Sequence, residues 1–184
     1  GLRHNMMASS AIPTDSLRSA SYMKKLNSTS TSIMDYARFN YVAQPGDGVT
    51  VFSPNIGPYD IMAIEYGYRW YGKDNPEEDY KLLQQFLSKY TDRLYHYSEA
   101  QDARDAVDPR SQNEDLGDDP IKSSLYGIAN LKRIVPNIIK WTTTGDPGQT
   151  YNDASRLYLS VLSQWNLYMY HVMANVGGIY MNNV

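Results

Sequence analysis

Apolar residues follow two regimes along this chain. From residue 59 onward they recur at intervals of three and four, the spacing of one helix face, and before it they do not. Tyr59 to Trp70 carries Ile61, Met62, Ile64 and Tyr68 near helix spacing, with Gly72 just beyond. Asn75-Pro76-Glu77-Glu78 reads as a helix start: a side-chain cap, proline at the first position, then acids against the positive end of the dipole. This helix is expected to run to about Arg93 and bury Tyr80, Leu83, Phe86, Leu87 and Tyr90. Asp119-Pro120 opens another, with a stripe of Leu125, Ile128, Leu131, Ile134, Val135 and Ile138 and a kink at Pro136. A last helix spans about Asp153 to Asn175, buries Leu157, Val161, Trp165, Tyr168 and Val172, and stops at Gly177-Gly178.

Residues 1–58 read as loop. Asn27-Ser28-Thr29-Ser30-Thr31-Ser32 is a polar run without period, and Pro45-Gly46-Asp47-Gly48 is a turn cluster. Val49-Thr50-Val51-Phe52 is predicted as a short strand. The fold class that follows is mainly α: an irregular segment, 1–58, leading into four or five helices over 59–184.

Composition narrows the function classes. At 184 residues the chain can bury one domain core. Seventeen basic against twenty acidic side chains give a net charge of −3, which offers no general argument for nucleic acid or anionic membrane. With no cysteine, disulfide scaffolds and cysteine-ligated zinc are excluded. No apolar run is long enough to span a bilayer, and no signal peptide is present. Seventeen tyrosines stand out. A ring with a polar tip suits half-wet helix packing first, and a glycan or peptide platform second.

Residues 99–119 concentrate charge: Glu99, Asp102, Asp105, Asp108, Glu114, Asp115, Asp118 and Asp119 against Arg104 and Arg110, a net of −6. The expectation is a short solvated helix capped by Ser98, then an acidic loop. Calcium is the competing reading, but the spacing is not that of a D-x-D-x-D-G loop. His96 and His171 lack ligand spacing to His4 and read as structural.

The candidate chemistry lies near the front. Gly1-Leu2-Arg3-His4 resembles the tail of the zinc-peptidase signature H-E-x-x-H-x-x-G-x-x-H, with only G-x-x-H remaining, and Ser32-Ile33-Met34-Asp35-Tyr36 resembles the Met-turn of the same enzymes. Ala37 to Val42 and Ile56-Gly57-Pro58-Tyr59-Asp60-Ile61 extend the likeness. The chain thus resembles the metzincin-like domain of large envelope or secreted proteins of Gram-negative gut anaerobes. The resemblance implies that Gly1 caps the preceding helix, where glycine takes a left-handed conformation at little steric cost. His4 would be the third zinc ligand, from the loop. Met34 would form an apolar floor beneath the ligands. Tyr36 would contact the metal as a fifth ligand or donate its hydroxyl to an oxyanion.

The function implied is zinc-dependent peptide hydrolysis, carried by a parent protein whose H-E-x-x-H lies upstream of Gly1. This chain alone is then expected to hold zinc weakly and to be inactive. Its partners would be the upstream half of its own catalytic domain and a peptide or protein substrate. The compartment would be periplasmic, outer-membrane-associated or extracellular. The rival reading is a non-catalytic, tyrosine-rich helical binding module of the envelope.

Overall fold

The computed structural model describes residues 1–99 and 107–181. It is mainly helical, with no β-strand among the described residues. The first segment holds 3₁₀ turns at Ser9–Ala11, Thr14–Arg18 and Ile33–Asp35 and one two-turn helix, α1 (Ala20–Leu26). The loop reading of residues 1–58 missed α1, whose seven residues bury only Met23 and so show no stripe. Ser19 caps it by accepting the Tyr22 N–H, and Asn27 ends it in the left-handed region at φ 55°. The strand expected over Val49 to Phe52 does not form. Its one backbone partner is Asn40, whose N–H donates to Phe52 O at 2.7 Å, and a single link makes no ladder.

From Pro58 onward the described residues form five helices: α2 (Pro58–Tyr68), α3 (Pro76–Leu87), α4 (Pro120–Ile134), α5 (Ile138–Thr142) and α6 (Asn152–Met173). Every start marked by a proline is where the pattern predicts. α3 stops short of Arg93: the Lys89 and Tyr90 N–H groups bond Phe86 O and Leu87 O, tightening the last turn. Only Phe86 of its predicted stripe is buried, and Tyr80 is 62 % exposed. Pro136 breaks the next helix as expected, by a 3₁₀ turn at Val135–Asn137 between α4 and α5.

α4 keeps its predicted stripe towards its C-terminal end, where Leu131 and Ile134 pack half-buried against Ile138, Ala154 and Val161, and departs from it nearer the start. Leu125 is 62 % exposed, whereas Ser123, Ser124 and Gly127 are buried. The neighbour decides this: a Cβ on Gly127 would lie 2.6 Å from the Tyr168 ring and 3.0 Å from Tyr41. Only the small face of α4 admits those two tyrosines, which pack together at 4.7 Å between ring centroids. On α6 the buried positions are Ala154, Val161, Tyr168 and His171, while the predicted Trp165 is largely exposed.

The core sits mostly in the first segment. Ile12, Leu17, Met23, Ala37 and Val42 cluster with Leu116 from the acidic stretch. A second cluster joins Tyr59 and Met62 of α2 to Phe86 of α3, and a third joins Ile138, Ala154 and Val161. The acidic stretch is therefore no solvated loop. Asp108, Ser111, Gln112, Asp115 and Leu116 are buried, and Gln112 Nε2 donates to Pro109 O and His171 O. His171 Nε2 pairs with Asn113 O at 2.9 Å, and burial holds its pKa below the ordinary imidazole value. Most of the helix expected just after Ser98 lies outside the described residues. No described helix is long and apolar enough to cross a membrane.

Candidate metal centre

Two lengths of chain, 4–9 and 31–36, run beside one another and build the site. The Asn5 N–H donates to Met34 O at 3.1 Å, Thr31 N–H and Oγ1 both donate to Ala8 O, and Ser9 N–H donates to the Asp35 carboxylate. These links fix His4 over Tyr36, with ring centroids 4.5 Å apart and planes tilted by 30°. Asn5 is fully buried and also ties in a third stretch: its Nδ2 donates to His96 O, and its Oδ1 accepts the Ser98 N–H. Arg3, His4, Tyr97 and Glu99 consequently border a cavity of about 250 Å³, with Arg3 and Glu99 ion-paired at its edge.

The hydroxyl run leading to the turn passes through the interior. Ser28 to Ser32 are all fully buried, yet their side chains find partners: Ser28 with the Asn55 backbone, Thr29 with Arg38 O, Thr31 with Ala8 O, and Ser32 with Asp60. Asp60, at the third position of α2, is the main anchor. Its carboxylate accepts Ser32 Oγ–H at 2.5 Å, Ile33 N–H at 2.8 Å and, back at the helix start, Gly57 N–H at 2.8 Å. Ser32 Oγ in turn accepts Met34 N–H at 3.1 Å. Gly57 permits the approach, because a Cβ there would sit 2.0 Å from Thr31 O.

Within Ser32-Ile33-Met34-Asp35-Tyr36 the side chains divide. Ile33 and Tyr36 face outward, Met34 is half-buried, and Ser32 and Asp35 are buried. Tyr36 closes the turn at φ 61°, in the left-handed region that residues with a Cβ enter rarely. Asp35 and Asp115 form an unusual pair. Ser9 bridges them, its N–H on Asp35 and its Oγ–H on Asp115 at 3.1 Å. Asp35 Oδ1 and Asp115 Oδ2 have no hydrogen-bond partner among the described residues. Burial pushes the Asp35 carboxyl up to about 7, with the Ser9 N–H lowering it only in part. Burial, and then the charge of Asp35, raise Asp115 well above the usual carboxylate range.

The structure thus brings together His4, Met34 and Tyr36, and places Ser32, Ile33 and Asp35 in one turn beside them. Gly1 is exposed, with open space where a Cβ would be. Asn5, Ser9, Asp60, Tyr97 and Asp115 belong to the site or its support without any sequence signal of that role. Asp60 alone carried a hint, as an acid in the first turn of a Gly-Pro helix start.

Among the described residues no three or more histidines or acids converge as a metal-ligand group, and His4 by itself offers one imidazole, short of the three or four donors of a zinc site. The class comes instead from the sequence as a whole, which is that of a metzincin-like domain. A family model described as Met-zincin matches residues 1–184, and the chain belongs to that family. No curated protein and no solved structure matches the chain.

Proposed function

We propose that this chain supplies the third zinc ligand, His4, and the Met-turn to the catalytic centre of a zinc-dependent endopeptidase, whose first two ligands and general base precede Gly1. The observation that carries the reading is the backbone link from Asn5 to Met34, which seats the His4 ring on Tyr36. Zinc, when bound, supplies an acidified water as nucleophile. The residues of this chain hold and orient. His4 would present its imidazole from a loop held on both sides by the bonds of Asn5. Met34, whose carbonyl accepts the Asn5 N–H, would form the apolar floor. The Tyr36 hydroxyl, on a half-exposed ring, can donate to a developing oxyanion. Arg3, Tyr97 and Glu99 border the adjoining cavity, where a substrate side chain would be read. Taken alone the chain offers too few donors for a tight site, so it is expected to be inactive.

Zinc content of the full-length protein tests the assignment. His4→Ala should lower bound zinc below stoichiometric and abolish peptide cleavage, because two ligands hold the ion poorly. Full retention of zinc in that variant would refute the ligand role.

A further inference from the structure

On the far side of Arg38, two residues past Tyr36, lies a groove of about 480 Å³. One wall is a row on α6 in which Ser160, Ser163, Leu167 and Tyr170 recur at helical spacing, with Gln164 and Asn166 beside it. The other is an ion pair between Arg38 and Glu114. Glu114 sits at φ 67°, a left-handed conformation uncommon for a residue with a side chain, and this turns its carboxylate onto Arg38.

The volume falls in the range of small-ligand sites, but the wall is far more polar than usual for them. Its two charges answer each other, so an ionic ligand finds no uncompensated partner. What remains are hydroxyls and carboxamides, groups that both donate and accept, matching the paired needs of sugar hydroxyls. Ser163, Asn166 and Tyr170 hydrogen-bond to no described side chain or backbone group outside the helix ladder. The Tyr170 ring is half-exposed and offers a flat apolar face for the C–H side of a pyranose. A peptide would want an apolar anchor pocket, and Leu167 alone does not make one.

We propose that this groove binds a neutral saccharide, held by the hydroxyl and carboxamide row of α6 with Tyr170 as the stacking face. The site is separate from the proposed zinc centre and does not depend on it. The test is an amide and side-chain NMR titration of this chain with maltotriose, cellotriose and chitotriose in turn, at millimolar concentration. At least one should give saturable shifts centred on Ser163, Asn166 and Tyr170. Tyr170→Ala and Asn166→Ala, both on the solvent side of α6, should weaken that binding roughly tenfold or more, the loss of one good contact, with melting temperature unchanged. Tyr151→Ala, on an exposed tyrosine outside the groove, should leave it intact. The proposal is overturned if none of the three sugars perturbs the groove, if the shifts survive both variants, or if a Ser-Gly peptide binds there as well as the best sugar.

Discussion

The Asp35–Asp115 pair makes the stability of this domain depend on pH in a direction opposite to that of ordinary surface carboxylates. Asp35 rises from 3.8 to about 7 because burial penalises its charged form more than its hydrogen bonds with Ser9 relieve it. The folded state therefore holds the proton more tightly than the unfolded chain. The stability this confers is complete below the unfolded value of 3.8 and is lost as pH rises through about 7. In full the difference is about 4 kcal/mol, at roughly 1.36 kcal/mol for each tenfold change in proton affinity. Between pH 5 and 8 about 3 kcal/mol of it should disappear, or roughly 6–12 °C in melting temperature for a chain of this size. Asp47, held near 2 by Arg18, contributes a constant amount across that window. His171, kept neutral by burial, loses stability as pH falls below 6.5, but equally in wild type and variant. The assay is urea unfolding of the wild type and Asp35→Asn at pH 5, 6, 7 and 8. The wild-type stability minus that of the variant should fall by about 3 kcal/mol from the lowest to the highest pH. A constant difference would show that Asp35 titrates normally and that its burial is relieved in solution.

Asp60→Ala strands the Ser32 hydroxyl and two backbone N–H groups, and at about 1–3 kcal/mol for each unmet donor it should cost at least about 3 kcal/mol by urea unfolding. Gly127→Ala should destabilise by about 1–2 kcal/mol, the overpacking against Tyr168 exceeding the gain in helix propensity. Gly67→Ala, in α2 with open space around it, should instead stabilise by up to about 1 kcal/mol, and equal effects at the two glycines would refute the packing account. In the full-length protein, Tyr36→Phe should lower kcat by about ten- to a thousandfold with KM little changed, while Met34→Leu should cost less than about 1.5 kcal/mol of stability and spare most activity. Unchanged kcat in Tyr36→Phe would remove the hydroxyl from the chemistry.

Local signals were legible and long-range ones were not. Pro58, Pro76 and Pro120 mark helix starts because proline at the first position and a preceding cap act within one turn. Which face of a helix is buried depends on its neighbour. In the first half of α4 Leu125 gave way to Ser123, Ser124 and Gly127 because Tyr41 and Tyr168 needed room, while Leu131 and Ile134 kept their predicted place against Ile138. Ser28 to Ser32 reads as solvated loop, since a hydroxyl run gives no hint that Ala8, Arg38, Asn55 and Asp60 will satisfy it in the interior. The same holds for Asp115, whose place beside Asp35 depends on Ser9, 106 positions away in the chain. At the candidate site, His4, Met34 and Tyr36 were singled out by their motifs, and the structure shows the first and last ring to ring. Asn5, which holds them together, is one asparagine among several.

The scaffold accounts for that arrangement. A metal ligand delivered from a loop is useful only if its ring is held near its productive place, because looseness of about an ångström weakens a site. Here the loop bearing His4 is tied to the turn at Ile33–Asp35. Asn5 joins Met34 and Thr31 joins Ala8 through the backbone, and the Ser9 N–H joins the Asp35 carboxylate. On its other side the turn is pinned by Asp60 at the start of α2, and Asn5 carries the constraint outward to His96 and Ser98. The position of His4 over Tyr36 is thus set by backbone and buried carboxylates of this chain. If zinc binds here as proposed, it has little left to organise on this side of the site, so removing the metal from the full-length protein should leave the Asn5–Met34 amide as protected from hydrogen exchange as the core of the domain.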